Sequence, residues 1–283
     1  MKQLILKSNA KINLSLEILG KRSDGFHNIN SLFIPIDLSD TFEFAPSTKF
    51  QLLTISPQTN IPLNENTIFK IIKLIQNKYK INIEQINITL RKKIPIGAGL
   101  GGGSSNAATT LLALNEIYNL NIPEPELINL AQSVGSDVPF FLFNKPAIVQ
   151  GKGEIIQSVQ FPFGFHIVLV YPLMQISTKF AYSLVPNGHE KKPTDYFKIL
   201  DKIKSIDEFR TYFANDFESL LFPHYPILKE IKDKLYAAGA KFASLSGSGS
   251  TCFGIFDHPV EQQYFQELFP DYLVFVSKPL NIM

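Results

Sequence analysis

The sequence predicts an α+β protein built in two parts, and three observations carry that prediction. Runs with an apolar period of two lie beside other such runs, at 10–18, 29–38, 41–45 and 48–55, instead of each leading into a helix. Segments of helical period are grouped in the same way, most densely between 178 and 238. With 283 residues, 45% apolar and 18% charged, the chain exceeds one small domain and can fill two cores. The division is expected near residue 160, giving parts 1–160 and 161–283.

In chain order, Ile12, Leu14, Leu16 and Ile18 alternate with Lys11, Asn13, Ser15 and Glu17, which predicts a half-buried strand with a polar outer face. A turn is expected over 20–28 from its Ser-Asp-Gly step, and Pro35 marks the next run as an edge or bulged strand. Ile68, Ile71, Ile72, Ile75 and Tyr79 form one face of a helix over 64–80, with Asn64 or Asn66 as its N-cap. A strand over 85–91 leads into a glycine loop, then a helix to about residue 119 and another over 124–134 that ends at Gly135. Pro139 biases Val138 toward extended geometry, which places Asp137 in a short rigid connection. In the second part, strands are expected at 165–171, 241–245, 252–256 and 272–276. Helices are expected near 178–184, 194–203, 215–222 and 226–238, with a second glycine turn over 246–251.

A net charge of +2, with no cluster of Lys and Arg among exposed aromatics, argues against nucleic acid and anionic membranes as partners and favours small molecules. Cys252 is the single cysteine and sits in an apolar run, so a buried thiol in a reducing compartment is the expectation. The apolar run 4–6 stops at Lys7, and no stretch approaches a membrane span; the protein is expected in the cytoplasm. No feature specifies an oligomer.

The segment 95–115, PIGAGLGGGSSNAATTLLALN, holds glycines at 97, 99, 101, 102 and 103. Where a strand passes through such a loop into a helix, the first helical N–H groups lack partners and their dipoles favour an anion. Hydrogen bonds to charged groups contribute on the order of 1.5–3 kcal/mol each, so several amides can hold a triphosphate without a lysine. The Walker pattern fails because Gly103, not lysine, precedes Ser104. Gly97, Gly99 and Gly102 satisfy G-x-G-x-x-G, but 117–123 offers no acid for a ribose, and the protein-kinase elements V-A-I-K, H-R-D and D-F-G do not occur.

The form P-x-x-x-G-L-G-G-G-S-S-N-A-A resembles the phosphate loop of the GHMP kinases, which phosphorylate small molecules. The stretches 8-SNAKINLSLEILGKRSDGFHNINSLF-33, 134-VGSDVPFFL-142 and 245-LSGSGSTCFGIF-256 are similar, in order and spacing, to the 4-diphosphocytidyl-2-C-methyl-D-erythritol kinase family within that superfamily. The resemblance implies two α+β domains with the active site in the cleft between them. It also implies ATP with Mg²⁺ as charge shield, and phosphorylation of the 2-hydroxyl of 4-CDP-2-C-methyl-D-erythritol in the non-mevalonate isoprenoid pathway.

Carried over by position, it implies Lys11 and Asp137 as the catalytic pair, a cation and a carboxylate suited to phosphoryl transfer to an alcohol. It implies ATP binding by Pro95, Ile96, Gly97, Ala98, Gly99, Leu100, Gly101, Gly102, Gly103, Ser104 and Ser105, with Asn66 and Lys92 on the adenosine side. On the substrate side it implies Phe26 and Tyr182 as the rings that hold the cytosine and His27 as reader of its edge. Asn13, Thr178, Gly247 and Ser248 are implied as further contacts, and no protein metal-ligand set is assigned. Many family members carry Tyr and Phe in the reverse order; stacking needs a π face in either case. The pairing of rings with His27 argues against a mevalonate or homoserine kinase, whose acceptors have no base to stack. Presence of both Lys11 and Asp137 argues against a catalytically inactive ligand sensor.

Overall fold

The computed structural model describes residues 3–56, 66–83 and 85–280. It divides into two compact units: residues 1–10, 39–96 and 101–144, and residues 11–38, 97–100 and 145–283. These differ from two contiguous halves meeting at residue 160. The reason is the length of the first two strands, β1 (Leu4–Lys21) and β2 (His27–Pro46), each of which runs through both units.

In the first unit β2 pairs antiparallel with β4 (Ile86–Arg91), and β3 (Gln51–Ile55) pairs parallel with β4. Four helices belong to it: α1 (Thr67–Tyr79), α2 (Gly102–Ile117), α3 (Glu124–Val134) and α4 (Val138–Phe143), with α1 and α4 both packed on α2. The isoleucine face of α1 is buried as the period predicts, and the Asn66 side chain caps it by accepting from Ile68 N at 3.0 Å. Asn64 lies outside the described residues.

In the second unit β2 pairs with β5 (Ala147–Gly151), which pairs with β6 (Ile155–Ser158), all antiparallel. A separate antiparallel sheet has the order β10 (Leu273–Ser277), β7 (His166–Tyr171), β9 (Cys252–Phe256), β8 (Phe242–Leu245). Helices α5 (Thr178–Ser183), α6 (Tyr196–Lys202), α7 (Phe209–Tyr212), α8 (Phe217–Leu221), α9 (Pro226–Ala237) and α10 (Gln262–Leu268) accompany it, with α9 on β8 and β9. Cys252 is buried on β9, and burial raises its pKa, so its thiol stays protonated and structural.

Three expectations are corrected. The polar face of β1 is not solvated: Lys11, Asn13, Ser15 and Glu17 are all buried, because each finds a partner inside the protein. Pro35 neither ends nor edges its strand. It lies within β2 between the β5 ladder at 29–33 and the β4 ladder at 41–46, and its carbonyl accepts from Leu280 N at 2.8 Å. Val138 is helical, since proline at the second position of α4 fits a first helical turn, and Asp137 occupies the N-cap position.

Candidate active site

The glycine loop is shaped by backbone approach. Gly99 has φ +78°, and a methyl group there would lie 2.2 Å from the Ser246 carbonyl oxygen and 2.8 Å from that of Gly249. Only glycine lets Gly97–Leu100 lie this close to the second glycine turn. The two are stitched together: Ser246 Oγ donates to Gly99 O at 3.0 Å, and Thr251 N donates to Ala98 O at 3.1 Å. The Gly247 carbonyl accepts from Asn215 Nδ2 at 2.8 Å, and the hydroxyls of Ser248 and Thr178 meet at 3.1 Å.

Lys11 is 3% exposed and belongs to this cluster. Its Nζ donates to Asn13 Oδ1 at 2.6 Å and to Gly99 O at 3.3 Å, and stands 4.6 Å from the centre of the Phe33 ring. Lys11, Asn13, residues 97–100 of the glycine loop and the Gly247 turn therefore share one locality in the second unit.

The remainder of the loop starts α2. Gly101 is its N-cap with φ +71°, and the first intrahelical bond runs from Ser105 N to Gly101 O at 2.9 Å. Helix geometry leaves the N–H groups of Gly102, Gly103 and Ser104 without intrahelical acceptors, and no acidic side chain occupies that turn. Thr67 Oγ1 donates to Gly103 O at 2.7 Å, tying the start of α1 to the same turn. Ser104 is half-buried; Ser105 is buried, and its Oγ accepts from Ser8 Oγ at 2.8 Å.

Behind this turn sits a polar core that the sequence reading missed. Asp40, fully buried, accepts from Lys92 Nζ, from Asn106 Nδ2 at 2.9 Å, and from the backbone N–H groups of Lys93 and Ile94 at 2.7 and 2.8 Å. Asn106 also accepts from Lys92 Nζ at 3.1 Å and donates to Ser8 Oγ at 2.9 Å. Lys92 and Asn66 thus already serve the fold, one bracing the strand that enters the loop and the other capping α1. A signal existed: Asp40 stands in the β2 column of Leu38, Phe42 and Phe44, and a charge in an apolar column must be paired.

On the substrate side, His27 lies parallel to Tyr182, with ring centroids 4.9 Å apart. Phe26 is exposed, and Lys152 Nζ stands 4.9 Å from the centre of its ring. Burial, then the positive charges of Lys21 and His189, lower the His27 pKa below its ordinary 6.5. Asp137 heads α4 without capping it through its side chain. Among the described residues there is no group of three or more His, Cys, Asp and Glu that could hold a metal, and no helix is long and apolar enough to cross a membrane.

The chain matches the GHMP kinases N terminal domain over residues 66–145 and the GHMP kinases C terminal region over 199–269. It is 39% identical to the 4-diphosphocytidyl-2-C-methyl-D-erythritol kinase of Thermodesulfovibrio yellowstonii over 275 residues, 95% of each chain. It is also 39% identical to the protein of that name from Azobacteroides pseudotrichonymphae, over 90% of this chain and 94% of that one. Among solved structures, a 4-(cytidine 5'-diphospho)-2C-methyl-D-erythritol kinase superposes with a TM-score of 0.82 at 29% identity, covering 98% of this chain and 99% of that one. Mevalonate kinase from Methanococcus jannaschii superposes at 0.73 with 19% identity, covering 99% of both chains, a likeness of fold alone. With such identity sustained over nearly the whole length, the chain belongs to the 4-diphosphocytidyl-2-C-methyl-D-erythritol kinase family of GHMP kinases.

Proposed function

We propose that the protein transfers the γ-phosphoryl group of ATP to the 2-hydroxyl of 4-CDP-2-C-methyl-D-erythritol, releasing ADP. One observation carries this reading beyond family membership: the buried ammonium of Lys11 is held by Asn13 and by the carbonyl of Gly99, within the glycine loop itself. A cation fixed against a phosphate loop favours the charge that builds on the transferring phosphoryl group.

The triphosphate lies along the loop, gripped by main-chain N–H groups at the start of α2, and the Ser104 hydroxyl is the side-chain donor nearest solvent. Asp137 accepts or orients the proton of the attacking hydroxyl, and Lys11 supplies positive charge to the transferring phosphoryl group. The cytosine stacks on Tyr182, with Phe26 as second ring and His27 at its edge, while Asn13, Thr178, Gly247 and Ser248 line the remainder of the substrate. A nucleotide-borne Mg²⁺ fits this donor set, since Mg²⁺ keeps most of its ligands from phosphates and water and needs few protein oxygens, here the Ser104 hydroxyl. When bound, it shields the phosphate charge. The cytoplasm is the compartment that the lone reduced Cys252 suits.

A coupled assay of ADP release, run in parallel with CDP-methylerythritol, mevalonate and homoserine, tests the reading. Turnover is expected with the cytidylyl substrate alone; turnover with mevalonate or homoserine in its place would overturn it.

A further inference from the structure

A chain of buried hydrogen bonds runs behind Lys11, and its direction follows from donor and acceptor chemistry. The Ser31 hydroxyl donates to the backbone carbonyl of Ser15, which can only accept. Having one proton, Ser31 Oγ can then only accept from its other neighbour, so the Asn13 side chain must turn its NH₂ group toward Ser31, at 2.9 Å. That orientation aims Asn13 Oδ1 at Lys11 Nζ, 2.6 Å away. The reverse orientation would set the Asn13 NH₂ group against an ammonium that has only donors, and would leave the Ser31 oxygen facing the Asn13 oxygen without a proton between them. Lys11, Asn13, Ser15 and Ser31 are all buried, so no water is at hand to repair a wrong orientation.

We propose that Ser31 is a positioning residue for the phosphoryl transfer: through the Asn13 amide it fixes the Lys11 ammonium against the Gly99 carbonyl. Ser31 need not meet ATP or the acceptor; it acts by holding one orientation of one amide. The proposal rests on the reading of Lys11 as the catalytic cation, and that reading has its own control. Asn13 thereby acquires a role besides contact with substrate, as the link between a backbone-anchored hydroxyl and the working cation.

The test is a double-substitution cycle in the full-length protein, reading kcat and KM for ATP by coupled ADP release with CDP-methylerythritol. Ser31→Ala is expected to lower kcat about tenfold or more while KM for ATP stays within about twofold, because the loop is untouched and one charge is misplaced. Asn13→Ala is expected to lower kcat at least as much. The double variant should be no slower than Asn13→Ala, since the hydroxyl has nothing left to orient. Multiplying losses would mean that Ser31 acts structurally and independently, and would overturn the proposal, as would wild-type kcat in Ser31→Ala. Ser31→Cys fills the site with a weak donor and weak acceptor and serves if Ser31→Ala does not fold. A drop in its kcat of about fivefold supports the proposal, and an unchanged kcat overturns it. Lys11→Met is the separate control: if it retains turnover, the reading of Lys11 fails, whatever Ser31 does.

Discussion

The imidazole of His27 lies flat against Tyr182, 4.9 Å between centroids and 13° from parallel, and Tyr182 in turn meets the core residue Phe217 edge-on at 5.0 Å. Tyr182 is therefore held by ring contacts with both His27 and Phe217, and it is the ring proposed to stack on the cytosine. Tyr182→Ala is expected to raise KM for the cytidylyl substrate about 10- to 100-fold, the range that base–aromatic stacking supplies, with KM for ATP unchanged. Steady-state kinetics with each substrate varied checks this, and an unaltered cytidylyl KM would remove Tyr182 from the site.

Because its pKa is lowered, His27 is neutral at pH 7 and presents one accepting ring nitrogen. As pH falls through the native value, which lies below 6.5, protonation removes that acceptor, and KM for the cytidylyl substrate should rise. The same group makes stability pH-dependent: the unfolded chain takes up its proton first, so the contribution of His27 is complete above 6.5 and is lost as pH falls through 6.5 toward the native pKa. A proton NMR titration of the imidazole locates the native value. His27→Gln should abolish the acid-side rise in KM; its persistence in that variant would reassign the effect.

Two glycines of the loop should differ sharply. At Gly99 a methyl group would sit 2.2 Å from the Ser246 carbonyl, on a residue of φ +78°. At Gly103 the nearest atom is Thr67 Oγ1, at 3.8 Å. Gly99→Ala should separate the loop from the second glycine turn, lowering kcat at least about 100-fold and the melting temperature by several degrees. Gly103→Ala should fold like the wild type, and helix propensity favours it by about 1 kcal/mol. Thermal melts and kinetics on the pair decide.

Asp137→Asn keeps the shape of the side chain but removes the charge that draws the acceptor proton. A fall in kcat of about 100-fold or more is expected. Turnover near that of the wild type would withdraw the role proposed for Asp137.

The Asp40–Lys92 pair should be asymmetric. Asp40→Ala strands a nearly buried ammonium and the N–H groups of Asn106, Lys93 and Ile94, a loss expected near about 3–5 kcal/mol. Lys92→Met leaves Asp40 with those three donors and should cost less. Urea denaturation of both variants measures the difference, and equal losses would contradict the asymmetry.

Elements with strong periods were legible. The isoleucine face of α1, the span of α3 and the strands β7 to β10 follow from which residues repeat at which spacing. The glycine loop could be read as a candidate anion site because the chemistry that such a site needs is that of the backbone. Val138 and Pro35 were misread for one reason: proline states a local preference, and the outcome depends on whether its absent N–H was needed there.

Local order, and a glycine loop running from a strand into a helix, were determined by the sequence alone, since each rests on neighbours within a few positions. Tertiary structure alone decided that the polar face of β1 is buried, that Asp40 braces the loop, and that Asn13 turns its oxygen to Lys11. Those outcomes depend on pairing donors and acceptors brought together from distant parts of the chain, where burial makes an unpaired group costly and so leaves one arrangement.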